Sequence, residues 1–175
     1  MRIRPSGLIF SLVVLAGAAS ALASAGQPLP SAAQIHTAIS GATRSKALWA
    51  TVNVCDTDSQ PQMLGIRGQM PSLGFPVAMS MSIQAQYFSS SKKRFEPVPN
   101  GQRMVNLGQA TKTLRQGGAD FQFKRHSGTL RGVITFAWTY GGSTIGHAVR
   151  TTTAGHPDAD FGSPRHFSAS ACKIS

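Results

Sequence analysis

VAMSMSIQAQYF, residues 77–88, alternates without a break: Val77, Met79, Met81, Ile83, Ala85 and Tyr87 against Ala78, Ser80, Ser82, Gln84, Gln86 and Phe88. Successive side chains of a strand point to opposite faces, so this period of two describes a strand with one buried and one wet face. Met79 and Met81 fall in the buried set, where methionine serves as adaptable core filler. Upstream, ALWATVNVC (47–55) alternates Leu48, Ala50, Val52 and Val54 against Trp49, Thr51, Asn53 and Cys55. The second of these faces is unusual for a wet one. Shorter strands are expected over 64–69, 95–98, 104–107 and 121–124, punctuated by Pro71, Gly74, Pro76, Pro97, Pro99, Asn100, Gly101, Gly117 and Gly118.

Downstream, TLRGVITFAWTY runs into Gly141-Gly142, and STIGHAVRTTT returns. Gly-Gly supplies the positive backbone angles of a tight hairpin turn. A two-residue loop sets Trp138 opposite Ile145, Phe136 opposite His147 and Ile134 opposite Val149. That register predicts a largely buried, neutral His147 with a hydrogen-bond partner. Helical periodicity is absent from the body of the chain. The fold class that follows is all-β: a single antiparallel β-sandwich of about seven to nine strands over residues 47–175.

The first residues, MRIRPSGLIFSLVVLAGAASALASAGQ, have the three parts of a secretory signal: Arg2 and Arg4, an apolar run, then small residues. Residues 1–25 therefore read as a signal peptide, cleaved after Ala23 or Ala25. The apolar run is shorter than the roughly 20 residues that span a bilayer, so removal is favoured over a retained anchor. The expected localisation is secreted, with no transmembrane segment in the mature chain. Residues 26–46 are small, polar and broken by Pro28 and Pro30, and read as a flexible linker in which a short helix near 32–39 is the alternative.

Without Arg2 and Arg4 the chain keeps fifteen Lys and Arg against six acids, a net charge of +9 with histidines neutral. Such a field favours polyanions as partners, among them an anionic polymer of the cell envelope. Solubility is the plainer explanation, because the cations are scattered. Only Lys92-Lys93-Arg94 and Lys124-Arg125-His126 cluster. The nearby aromatics Phe88, Phe95, Phe121 and Phe123 are expected to face a core rather than to stack on a ligand. The two cysteines of an exported chain, Cys55 and Cys172, are expected to pair. Their bridge ties the first strong strand to the end of the chain.

No catalytic constellation is legible. The nearest approach to a nucleophile elbow, Gly141 to Gly146, is needed as a hairpin turn and lacks the strand-to-helix context. The only glutamate is Glu96, whereas glycoside hydrolysis normally needs two carboxyls flanking the bond. His147, His156 and His166 are not spaced as ligands on one element. Four of the six acids lie in two D-x-D pairs, Asp56/Asp58 beside Cys55 and Asp158/Asp160 before Cys172. If the bridge brings them together they form a calcium site. Turn chemistry, in which aspartate bonds its own backbone, is the preferred explanation, so no metal or cofactor is expected.

ALWATVNVCDT, LRGVITFAWTY and VRTTTAGHPDADFG with FSASACKI together resemble a group of small secreted proteins of high-GC Gram-positive bacteria, the resemblance covering Ala47 to the end. It implies an immunoglobulin-like sandwich with a bridge between Cys55 and Cys172, and it carries no activity and no site residues. The function expected is a non-enzymatic binding or structural module at or outside the cell surface. The alternatives are an electrostatic binder of acidic wall polymer or nucleic acid and, last, a metal-assisted hydrolase.

Overall fold

The computed structural model describes residues 29–124 and 127–175. The leader, both cleavage positions and Arg125 lie outside the described residues. Eight strands follow one helix: α1 (Ala32–Arg44), β1 (Trp49–Thr57), β2 (Gln60–Met70), β3 (Val77–Ser89), β4 (Arg94–Ala110), β5 (Arg115–Gln122), β6 (Gly128–Tyr140), β7 (Ser143–Thr151) and β8 (Cys172–Ile174). They form two antiparallel sheets, one ordered β1-β2-β5 and the other β4-β3-β6-β7. The short β8 pairs with β6 at Gly128–Leu130, beyond the point where β7 leaves it. The all-β sandwich is thus the architecture. Among the described residues no helix is long and apolar enough to cross a membrane.

The core lies between the sheets. Met79, Met81, Ile83, Ile134, Phe136 and Trp138 from one sheet are buried together with Val52, Leu64 and Ile66 from the other. Fully burying such side chains is worth about 1.5–3 kcal/mol each before entropy is counted. Trp138 keeps its indole satisfied by donating Nε1–H to the Pro71 carbonyl at 2.8 Å. The disulfide Cys55–Cys172 joins β1 to β8, with Cα atoms 5.3 Å apart and the two cysteines separated by 117 positions in sequence. It closes the sandwich at the side where an edge of each sheet would otherwise gape.

Several local expectations are corrected. Residues 95–98 and 104–107 belong to one strand, β4, whose prolines Pro97 and Pro99 are tolerated because β4 is the edge of its sheet. Gly117 and Gly118 do not end a strand but sit inside β5, where a Cβ would lie 2.4 Å from Leu107 and 2.3 Å from the Ile66 carbonyl. They are there for close approach. The linker reading fails over Ala32–Arg44, which form a helix capped by Ser31 and Gln34: the Gln34 amide donates to Ser31 Oγ, and the Ser31 amide donates to Gln34 Oε1. Ala42 is buried and Ile39 packs on the core, while Arg150 of β7 donates to the Thr43 carbonyl.

His147 is exposed, not buried. Gly141 and Gly142 do form the tight turn, with φ of 56° and 80°. The register then slips by one residue between Trp138 and Thr139, so Trp138 faces Gly146, and His147 lies opposite Ala137. One extra residue in a strand moves everything beyond it to the other face.

Candidate functional site

The end of the β3–β4 hairpin gathers basic and aromatic side chains. Phe88 and Phe95 are paired across the two strands on the face turned away from the core, their ring centroids 5.4 Å apart at 67°. Phe88 keeps 42 % of its surface exposed. Arg131 comes from the neighbouring β6, where it lies opposite Gln86 and donates Nε–H to Gln86 Oε1 at 2.8 Å. That bond holds the guanidinium 3.9 Å from the Phe95 ring centroid, within cation–π range.

The four-residue turn supplies the remaining cations. Ser89 Oγ accepts from the Lys92 amide at 3.3 Å, and Lys93 adopts a left-handed φ of 53° at the tip. Lys92 Nζ lies 3.1 Å from Glu96, and Arg94 bonds the same carboxylate. These two cations hold Glu96 below the usual carboxylate range, through the bond from Arg94 first and that from Lys92 second. Two cations, Lys92 and Arg94, therefore flank one carboxylate, with Lys93 in the same turn and Arg131 over the neighbouring Phe95 ring. Surface ion pairs of this kind contribute little to stability and leave the local field positive.

Lys124 is exposed just after β5, at the same end of the sandwich, since β6 begins at Gly128 and pairs Leu130 with Tyr87 beside the hairpin. The expectation that four phenylalanines face a core holds for Phe121 and Phe123 only. The exposed Phe88 and the half-buried Phe95 pair on the outer face instead. The signal was in the sequence: Phe88 stands in the polar phase of VAMSMSIQAQYF, with Ser80, Ser82, Gln84 and Gln86.

The two D-x-D pairs are not brought into one cluster. The Asp56 carboxylate accepts from the Gln62 amide at 2.6 Å and the Ser175 amide at 3.1 Å, which lowers its pKa. Asp58 sits in the β1–β2 turn. Asp158 and Asp160 are held by main-chain bonds, the Asp158 carbonyl accepting from Gln116 Nε2 and the Asp160 amide donating to Gln116 Oε1. Among the described residues no group of three or more His, Cys, Asp or Glu could hold a metal ion. Asp160 has another electrostatic partner. With Asp120 it raises the pKa of Arg67, whose guanidinium is pushed down chiefly by burial and stacks against the Phe161 ring at 5.1 Å.

A cavity of about 640 Å³ lies between Gln34 and Ala38 of α1, the 73–76 loop and Tyr140. No charged residue lines it, and nothing in the structure marks its occupant.

No protein-family model matches the chain, and no curated protein does. Among solved structures it is similar to CsgH of R. palustris at 9 % identity and a TM-score of 0.31, over 58 % of this chain and 89 % of that one. It is also similar to the Pseudomonas fluorescens alkylpurine DNA glycosylase AlkC, at 12 % identity and a TM-score of 0.30 over 67 % of this chain, which spans a third (33 %) of that one. Both likenesses are too distant to bear on function.

Proposed function

We propose that this protein is an exported, non-enzymatic β-sandwich module that binds anionic polymer at or outside the cell surface. Export is supported by the leader-like start of the sequence and by the Cys55–Cys172 disulfide, a bond that persists in oxidising compartments. The non-enzymatic part rests on the sequence, which offers no triad, no zinc signature and a single glutamate. One observation carries the choice of ligand: Arg131 stacked on Phe95 beside the exposed Phe88, at the hairpin that also carries Lys92, Lys93 and Arg94. Scattered charge kept only for solubility does not require a guanidinium ordered over an aromatic ring beside an exposed one.

Binding through three or four cations displaces counterions, so affinity for a polyanion should drop about 100-fold between about 50 and about 200 mM salt. Polyphosphate binding followed by anisotropy across that range is the test. Lys93→Glu together with Arg131→Ala should weaken binding at low salt and flatten the salt slope. Binding that is unaffected by the double change would remove the hairpin from the reading.

A further inference from the structure

The outer face of the β4-β3-β6-β7 sheet runs away from the Phe88–Phe95–Arg131 cluster and differs from the rest of this basic chain. One row across its four strands is Met104, Ser82, Thr135 and Val149. The rows on either side hold Gln, Asn, Ser, Thr, Ala, Val and one His, with no Lys, Arg, Asp or Glu. Met104 and Val149 are 69 % and 52 % exposed. Beyond that row the face dips into a depression of about 380 Å³ lined in part by Ser80, Asn106 and Thr139. At about 3.3 Å per residue, Ser80 stands roughly 20 Å along β3 from Gln86 and the arginine it holds.

The surface therefore offers hydroxyls and amides in rows, two exposed apolar side chains, and cations at one end only. A single strand of nucleic acid laid along it would carry a phosphate at every nucleotide, against a face with no cation to meet them. Charge complementarity instead selects a chain whose units present hydroxyls and apolar C–H faces and whose acidic groups are sparse.

We infer that this face is the binding surface for a linear, sparsely acidic polysaccharide, which lies along the sheet with one acidic group at Arg131 and an uncharged unit in the depression beside Asn106. This rests on the anionic-polymer reading above and gives its ligand class. Gln102 donates Nε2–H to Ser82 Oγ at 2.7 Å and Gln84 is bonded to three main-chain carbonyls, so the amides are ordered before any ligand arrives. Ordered donors and acceptors lower the entropic cost of binding.

The test uses the intact protein and two probes: hyaluronan oligosaccharide, which alternates acidic and neutral sugars, and polyphosphate, which is charge alone. Ser82→Tyr obstructs the central row, and Met104→Ser changes the exposed thioether, with thermal melting to confirm folding. Hyaluronan affinity should fall about tenfold or more in Ser82→Tyr, and less in Met104→Ser, while polyphosphate affinity stays within about twofold. Arg131→Ala should weaken both probes. Should wild type take polyphosphate and refuse hyaluronan, the polysaccharide inference is lost and the anionic-polymer reading stands; refusal of both removes both. Hyaluronan binding indifferent to Ser82→Tyr and Met104→Ser, or single-stranded DNA bound in its place and lost with Ser82→Tyr, overturns the inference too.

Discussion

On β1 six consecutive residues, Trp49 to Val54, are buried, whereas on β3 every second residue from Ala78 to Gln86 stays partly exposed. Both strands have an inner face packed on the same core, so the difference lies entirely outside it. The chain after β7 runs along the free edge of β1, exchanging main-chain bonds between Val52 and Ala169 and donating from Thr153 to Ala50 and from Ser163 to Asn53. It then covers the outer side chains: His156 stacks on Trp49, Ser168 bonds Thr51, and Asn53 Nδ2 donates to the Asp160 and Phe161 carbonyls. At β1 this sheet is covered on both faces and protected at its edge. The other leaves its uncharged face and its basic tip free, and that is where a ligand can reach the protein.

The disulfide is the strongest test of this division. Replacing Cys55→Ser and Cys172→Ser together should cost about 2–5 kcal/mol in urea unfolding, because the bridge closes a loop of more than a hundred residues. Hydrogen exchange should quicken at the Val52 and Ala169 amides more than at β3. Equal protection in both regions would mean that the strap holds without its covalent anchor.

A smaller change separates the two outer faces directly. Asn53→Ala leaves the carbonyls of Asp160 and Phe161 without their donor and should cost about 1–2 kcal/mol. Ser80→Ala, on the open face, should stay within about 0.5 kcal/mol. Similar losses at both positions would show that the open face is also part of the folded interior.

The sealed face was half legible in the sequence. Trp49 and Asn53 sharing a face with Thr51 marked it as unusual, but what covers it comes from over a hundred residues away, in a stretch of turns without periodicity. Alternation in 77–88 and in the Gly141-Gly142 hairpin made the sheets readable, because burial of one strand face is a local pattern. His147 was misplaced because a single extra residue, Ile145, opposite the step from Trp138 to Thr139 inverts every later side chain of β7, and a bulge leaves no mark in composition. The helix over Ala32–Arg44 had a signal, Ser31 followed three residues later by Gln34, which the prolines before it obscured. Of the candidate site, the lysines were legible. Arg131 was not, since its place over Phe95 depends on β6 lying beside β3.

The smallest expected effect lies in the same sealed layer and depends on pH. The His156 ring stacks on Trp49 with centroids 4.6 Å apart and an interplanar angle of 12°, and its Nε2 lies 3.0 Å from Thr153 Oγ1. Burial lowers its pKa below the ordinary value of 6.5. The unfolded chain therefore binds more protons than the folded one between that lowered value and 6.5, so stability must rise with pH across this window and fall on acidification through it. Asp56 acts lower down. Its pKa is depressed from 3.8 by the Gln62 amide first and the Ser175 amide second, so its contribution is present above 3.8 and lost only as pH falls through the depressed value. His156→Phe keeps a ring against Trp49 and cannot take up the proton, so urea midpoints, with Trp49 fluorescence as a local probe, should lose their slope below pH 6.5 in this variant alone. A slope that persists in His156→Phe would assign the acid sensitivity to another group and leave the Trp49–His156 stack as packing only.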